Sequence, residues 1–374
     1  MVRVTSSAAA LVDVEQVRTG VDAALAGHVT VLAGELTGIG PDSAPLVEAV
    51  RDMLGGGKRL RAAFCYWSWR AHGGAADGPH AQRSQVLAVG AALELFQAAA
   101  LFHDDVMDDS DTRRGLPAAH RRFADLHVAE GWTGPSQRFG DAAAILLGDL
   151  ALIASERQFA AAVEHVATDV RDAARGVFDR MRTEVTVGQY LDVLAQALPW
   201  GQDATGDERR ARAVIRAKSA RYSVEHPLTL GAALAGADDE ALARCRMVGL
   251  PLGEAFQLRD DLLGVFGDPS TTGKPAGDDL REGKRTVLIA RALGTASPQD
   301  RALITEKLGH RDLTDAEVDL LRAAVLRSGA ARAVDELIGT LAEPALTILA
   351  DAPLAEPGRS MLVDLGRAAV DRHA

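Results

Sequence analysis

The stretch LFHDDVMDDSDTRRG (residues 101–115) places five aspartates within eight positions, directly after the apolar run AAALF and just before two arginines. Carboxylates this close repel one another and resist leaving water, so something cationic must sit among them. On a helix, residues four apart share one face, separated by about 6 Å of rise. Asp104 and Asp108 therefore project together, with Asp105 beside them. All-oxygen carboxylate clusters suit hard cations, and magnesium in particular keeps waters and shares its shell with phosphate oxygens. A second pair, Asp260 and Asp261, ends another apolar helical run in EAFQLRDDLLGVFGD (254–268). A solvated acidic helix end is the plain alternative for either cluster alone. Two such pairs, each at the polar end of an oily helix, could instead face one another across a cavity.

Cations are the necessary complement. GGGKRLR (55–61) sets Lys58, Arg59 and Arg61 after three glycines at a helix start, where backbone N–H groups and basic side chains hold anions. Arg113 and Arg114 follow the first acidic cluster, and Lys218, Lys274 and Lys284 lie downstream. Any one of them alone reads as a surface charge. TGKPAGDDLREGKR (272–285) is harder to dismiss, because Gly-rich loops presenting lysine contact phosphates. The chain has no GxxxxGK[ST] phosphate loop, no GxSxG nucleophile elbow and no HExxH zinc helix.

The elements that must position these groups are helical. Alanine and leucine dominate, and strand-length runs of β-branched or aromatic residues are scarce. Apolar residues cover most positions from Val86 to Met107, the pattern of a helix buried on nearly all sides. Helical texture recurs at 13–37, 44–70, 142–164, 169–197, 207–235, 238–265, 285–308 and 315–371, the last being more than one helix. Gly- and Pro-rich punctuation falls at 55–57, 72–79, 131–135, 198–201 and 267–277. No repeat or composition shift divides the chain, so the expectation is a flexible tail over 1–12 and one all-α domain over 13–374. At 374 residues and 47% hydrophobic, that domain can bury a large core. The net charge of −11, with acids scattered throughout, argues against a nucleic-acid binder. Cys65 and Cys245 are isolated and suggest neither disulfides nor zinc. The apolar stretch of MVRVTSSAAALV is too short for a signal peptide, and no run reaches the roughly 18 uncharged apolar residues of a spanning helix. The expected setting is the cytoplasm.

Taken in order, GGKRLR, DDVMD followed by RRG, GDLAL, GQYLDV, KSARYS, GEAFQLRDDLLG and GKPAGDDLREGKR resemble the motifs of trans-isoprenyl diphosphate synthases, the polyprenyl synthetase family. The likeness runs from about residue 40 to the C-terminus and is nearest the bacterial geranylgeranyl type. It implies a helical bundle around a deep apolar cavity, a homodimer, and head-to-tail condensation of an allylic diphosphate with isopentenyl diphosphate. It also implies about three magnesium ions per active site. Asp104, Asp105 and Asp108 would hold magnesium from one wall, and Asp260 and Asp261 from the other. Arg113, Lys218, Ser219, Gln257, Lys274 and Lys284 would surround the allylic diphosphate. Lys58, Arg61, Gln97 and Arg114 would hold isopentenyl diphosphate.

Three positions depart from the pattern. Gln97 stands where histidine is common, and Ser219 where threonine is common; both keep a hydrogen-bonding group. Gly264 takes the place of the third aspartate of the second cluster, which should weaken that metal site modestly. Asp268 belongs to a separate turn and is not expected to be a ligand. Toward the start of the same helix as Asp104, the small residues Ala99 and Ala100 leave a path for a growing chain. Phe96, roughly 12 Å down the axis from Asp104, is a candidate floor, although core packing alone would also explain an aromatic there. The expected product is geranylgeranyl diphosphate, with farnesyl or twenty-five-carbon diphosphate next. A class I terpene cyclase would need an NDxxSxxxE motif that is missing after Asp260, and would leave GGKRLR without a task. A non-catalytic partner subunit would show degraded aspartates, whereas the first cluster is intact.

Overall fold

The computed structural model describes residues 11–75, 80–267 and 277–371. They are overwhelmingly helical: α1 (Val17–Ile39), α2 (Ala44–Leu54), α3 (Leu60–Ala71), α4 (His80–Met107), α5 (Ala119–Ala129), α6 (Ser136–Val163), α7 (Thr168–Ala197) and α8 (Ala204–Val214) come first. A π-helical segment (Ile215–Glu225) leads into α9 (His226–Leu234). Then follow α10 (Asp239–Phe266), α11 (Asp278–Arg281), α12 (Val287–Thr295), α13 (Pro298–Lys307), α14 (Asp315–Arg327), α15 (Ala330–Asp351) and α16 (Gly358–Val370). Among the described residues the one sheet is a hairpin of β1 (Thr112–Arg113) and β2 (Leu116–Pro117). The all-α class expected from the sequence is the class found.

Contacts gather the chain into two compact units. The first runs to Arg175 and takes in Leu230–Asp238 and Leu354–Met361. Its centre is α4, which packs against α1, α3 and α6. Val89, Leu93, Leu95, Phe96 and Phe102 are all buried along it, and each such side chain contributes about 1.5–3 kcal/mol over an exposed one. Ser155 of α6 donates a hydrogen bond to the carbonyl of Ala92 at 2.7 Å, fixing the register of the pair. Residues Gln82–Met107 are long and apolar enough to cross a bilayer, but 72% of their most apolar window is buried inside the protein. That is the behaviour of a core helix. Of the expected tail over 1–12, Leu11 and Val12 are described, and Val12 is buried.

The second unit comprises Gly176–Thr229, Asp239–Pro353 and the chain from Leu362. Here α10 packs against the π-helical segment and α15, while α12 packs against α8 and α15. Helix starts are capped by side chains that take up otherwise unpaired N–H groups: Thr286, Ser297 and a reciprocal box between Thr314 and Glu317. Three expected helices are divided, 285–308 among them, which breaks at Ala296 and Ser297 between α12 and α13. Residues 44–70 divide at Gly55–Gly57, where Gly56 takes a φ of 71°. Residues 207–235 divide into α8, the π-helical segment and α9. Helix α5, AHRRFADLHVA, lies outside every segment expected to be helical, its short apolar pattern being interrupted by five polar residues in eleven.

Candidate active site

Helix α4 ends in the acidic run, and acids at a helix C-terminus oppose its dipole. Asp105 is fully buried, Asp108 is buried and Asp104 is half-buried. Arg113 lies against two of them. Its Nε donates to Asp105 Oδ1 at 2.9 Å, its Nη2 reaches the same oxygen, and Asp104 Oδ2 lies 3.8 Å away. Asp109 and Asp111 do other work: both accept from Arg121, at 2.8 and 2.9 Å. The five aspartates are thus divided between an inward trio and an outward clamp on α5.

Arg113 reaches the trio from the hairpin. Arg113 pairs with Leu116, and the two residues between them, Arg114 and Gly115, have φ of 54° and 77°. Positive φ at both central positions suits a tight hairpin turn. For arginine that conformation costs about 1 kcal/mol. Offsetting it, Arg114 Nη1 donates to the carbonyls of Met53 and Gly55, both at 2.6 Å, tying the hairpin to the GGGKRLR loop. Burial lowers the Arg114 pKa below the usual guanidinium value; Glu94 opposes this, and the charges of Arg59, Arg113 and Arg61 add to it. Four guanidinium groups therefore share one field, which suits an anion. Arg59, also at positive φ, points inward to Glu94 (3.1 Å), Asp22 (2.7 Å) and the Leu54 carbonyl. Lys58 is exposed and Arg61 half-buried at the same turn. Further back on α4, Gln97 and Ala100 are half-buried, while Phe96 and Ala99 are buried.

In the second unit, Asp260 and Asp261 stand near the end of α10. Gln257, one turn earlier, donates from Nε2 to Asp261 Oδ1 at 2.9 Å. Burial pushes the Asp261 carboxyl up to about 7; the Gln257 hydrogen bond opposes the rise, Asp279 and Asp260 add to it, and Lys284 opposes it. Lys284 Nζ lies 3.4 Å from Asp279 Oδ1 and 2.8 Å from Glu282 Oε2. Lys218 and Ser219 sit on the π-helical segment, and π-helical turns recur at functional positions. Lys218 Nζ meets Asp192 Oδ2 of α7 at 2.6 Å. That approach requires Gly188: a Cβ there would lie 2.6 Å from the carbonyl carbon of Ala217 and overlap the amide of Lys218. Lys274 lies outside the described residues, as does Asp268. Sequence reasoning missed Asp192 and Asp279. The signal was there in GQYLDV and GDDLREGKR, motifs that carry the family resemblance and that contain these two acids.

Residues 43–325 match the polyprenyl synthetase family model. The chain is 30% identical to the geranylfarnesyl diphosphate synthase of Aeropyrum pernix over 83% of this chain and 88% of that protein. It is 32% identical to the nonaprenyl diphosphate synthase of Mycobacterium tuberculosis over 85% of this chain and 84% of that one. A crystal structure of geranylgeranyl pyrophosphate synthase from Corynebacterium glutamicum, complexed with isoprenyl diphosphate and magnesium, superposes with a TM-score of 0.88 at 35% identity, covering 96% of this chain and 98% of that one. The helical fold and the ordered motifs thus define a class, the trans-prenyltransferases. The chain belongs to the polyprenyl synthetase family.

Proposed function

We propose that the chain is a magnesium-dependent geranylgeranyl diphosphate synthase, adding isopentenyl diphosphate to allylic diphosphates head to tail. The observation that carries this reading is the inward trio Asp104, Asp105 and Asp108 at the end of a buried helix, one turn-forming hairpin away from the guanidinium group of Arg61, Arg113 and Arg114. Magnesium fits the residues present. The donors are hard carboxylate oxygens at a helix end whose dipole already calls for a cation. Bound there, magnesium would keep positions for waters and phosphate oxygens, the shell it prefers.

In this reading Asp104, Asp105, Asp108, Asp260 and Asp261 are the magnesium ligands. When bound, the ions neutralise the charge that develops on the departing pyrophosphate. Arg113, Lys218, Ser219, Gln257, Lys274 and Lys284 orient the allylic diphosphate and add positive charge to the leaving oxygen. Lys58, Arg61, Gln97 and Arg114 hold isopentenyl diphosphate. The allylic C–O bond breaks and its electron pair leaves with pyrophosphate. The isopentenyl double bond then attacks the allylic carbon, and the proton lost in forming the new double bond passes to pyrophosphate. No nucleophilic side chain is needed, and the apolar side chains of α4 keep water from the cation.

Supplied with magnesium, isopentenyl diphosphate and each of three allylic starters, the purified protein should make a main product of twenty carbons, sized by chromatography. Farnesyl and twenty-five-carbon diphosphates are the nearest alternatives, and a chain inert with every starter would sink the reading. With geranylgeranyl diphosphate alone, no hydrocarbon should form; a cyclic product would point to a terpene cyclase. Phe96 is the proposed floor of the chain path, with Ala99 and Ala100 above it. Phe96→Ala should therefore lengthen the product, and unchanged lengths would remove Phe96 from that role.

We also propose a homodimer. Phe139, Leu146 and Ile153 lie seven residues apart on α6 and are 37%, 61% and 56% exposed, an apolar stripe on one helix face. Trp132 extends it, with its ring centroid 5.1 Å from that of Phe139. Light scattering should give twice the chain mass for the wild type and the single mass for Leu146→Glu/Ile153→Glu. A monomeric wild type would refute the pairing.

A further inference from the structure

We propose that Glu184 is a positioning residue for the allylic subsite: from α7 it ties down the far end of the π-helical segment and so fixes the direction in which Lys218 is presented. The inference rests on the reading above, in which Lys218 orients the allylic diphosphate, and adds a residue that reading does not use. Glu184, Gly188 and Asp192 stand four residues apart on α7, in one row along one helix face. All three meet the π-helical segment or the residue that follows it. Asp192 takes Lys218 at 2.6 Å, and Gly188 lies against the backbone of Ala217 and Lys218. Glu184 accepts twice, its Oε1 from Nη1 of Arg221 at 3.0 Å and its Oε2 from Nε2 of His226 at 2.8 Å. The His226 hydrogen bond holds the Glu184 carboxyl below the usual carboxylate range against the opposing effect of burial, and the charges of His226, Arg221 and Arg180 add to it.

A π-helix of this length needs holding. Such helices are mostly single turns, and unusual backbone persists where the surrounding structure imposes it. Here the segment runs for 11 residues. Opposite α7, α10 packs bare backbone against it. A Cβ on Gly249 would lie 2.5 Å from the Cα of Glu225, and one on Gly253 would lie 2.7 Å from the carbonyl carbon of Ala220. The glycine contacts set where the segment lies, and the charged pairs set its rotation. Lys218 sits near its start, while His226, buried, is the first residue of α9 beyond its end. A π turn takes up more residues than an α turn, so relaxation by one residue would swing Lys218 about 100° around the axis relative to α9. Glu184 opposes that swing by gripping the segment and α9 together. Without it, His226 Nε2 would lose its acceptor and Arg221 would be left to Glu225, whose Oε2 lies 3.5 Å from Arg221 Nε.

The test is steady-state kinetics of the full chain with magnesium, isopentenyl diphosphate and farnesyl diphosphate, with thermal unfolding recorded for every protein. Wild type, Glu184→Ala, Glu184→Gln, Lys218→Ala and Glu184→Ala/Lys218→Ala are compared. Glu184→Ala should lower kcat/KM for farnesyl diphosphate by about 10-fold, inside the roughly 10²-fold that a misplacement of about 1 Å can cause. KM for isopentenyl diphosphate should stay within about twofold of wild type, a split that general loosening of the second unit would not give. Glu184→Gln, with one acceptor oxygen in place of two, should fall between. On the Lys218→Ala background, losing Glu184 should lower kcat/KM by no more than about twofold, because its effect passes through Lys218. Wild-type kcat/KM for farnesyl diphosphate in Glu184→Ala, or equal losses for both substrates, would overturn the proposal. A further loss of about 10-fold on the Lys218→Ala background would do the same, making Glu184 a general prop of α7. Should Glu184→Ala fail to fold, Glu184→Gln and Glu184→Gln/Lys218→Ala carry the same comparison. A wild type inert with every allylic starter sinks the synthase reading and this inference with it, whereas an active wild type confines any failure to the inference.

Discussion

Asp104→Ala should lower kcat by about 10³-fold while shifting the unfolding free energy by no more than about 1 kcal/mol. The stability side follows from the local geometry. Asp104 is half-buried, its contact with Arg113 is 3.8 Å, and ion pairs of that kind contribute about 0–1 kcal/mol. Removing a carboxylate from the last turn of α4 also relieves repulsion with the helix dipole, worth about 0.3–1 kcal/mol. The catalytic side follows from the proposed metal role. A ligand to the ions at the leaving pyrophosphate supplies several kcal/mol to the transition state, and about 4 kcal/mol corresponds to a factor of roughly 10³ in rate. Asp109→Ala is the matched control. Asp109 is exposed and accepts from Arg121, so its loss should leave kcat within about threefold of wild type. Steady-state kinetics at saturating magnesium check both. Equal rates for wild type and Asp104→Ala would remove the trio from the chemistry.

The second large effect is expected at Glu94, which no motif marks. Arg59 and Glu94 are both almost fully buried and meet at 3.1 Å. Deleting one partner of such a pair leaves an uncompensated charge, at a cost of about 3–5 kcal/mol. Glu94→Ala should fall near the lower end, about 3 kcal/mol, because Arg59 keeps Asp22 and the Leu54 carbonyl. The same loss should loosen the GGGKRLR loop, which Arg59 anchors from inside. KM for isopentenyl diphosphate should then rise about 10-fold while KM for the allylic partner stays level, a split that reports uniform loss of binding at one subsite. Denaturant unfolding and the two KM values check this. Arg59→Met/Glu94→Leu should recover most of the stability, since apolar replacement of a buried pair is often neutral. Glu94→Ala unfolding within about 0.5 kcal/mol of wild type would contradict the account.

Much of the architecture was legible because it is written in local patterns. The burial of α4 follows from apolar residues on nearly every side between Val86 and Met107, and its acidic end follows from the next few letters. The π-helical turn under Lys218 and Ser219 was not legible, since its extra residue per turn leaves no mark on a 3.6-residue period. Helix α5 was missed because it is held by its buried face of His120, Phe123, Ala124 and His127 rather than by composition. Arg113 could be read as a cation near the aspartates, but not that it lies on Asp105 while Arg121 takes Asp109 and Asp111.

By itself, the sequence determined the all-helical class, the family and the residue types available for metal and diphosphate, because periodicity and motif order are properties of neighbouring letters. Tertiary structure alone decided which of those charges are satisfied and by whom. Arg59 turned inward to Glu94, Lys218 met Asp192, and the Asp279 carboxylate came to rest on the bare backbone of Gly264. Contacts between residues far apart in the chain depend on how helices pack.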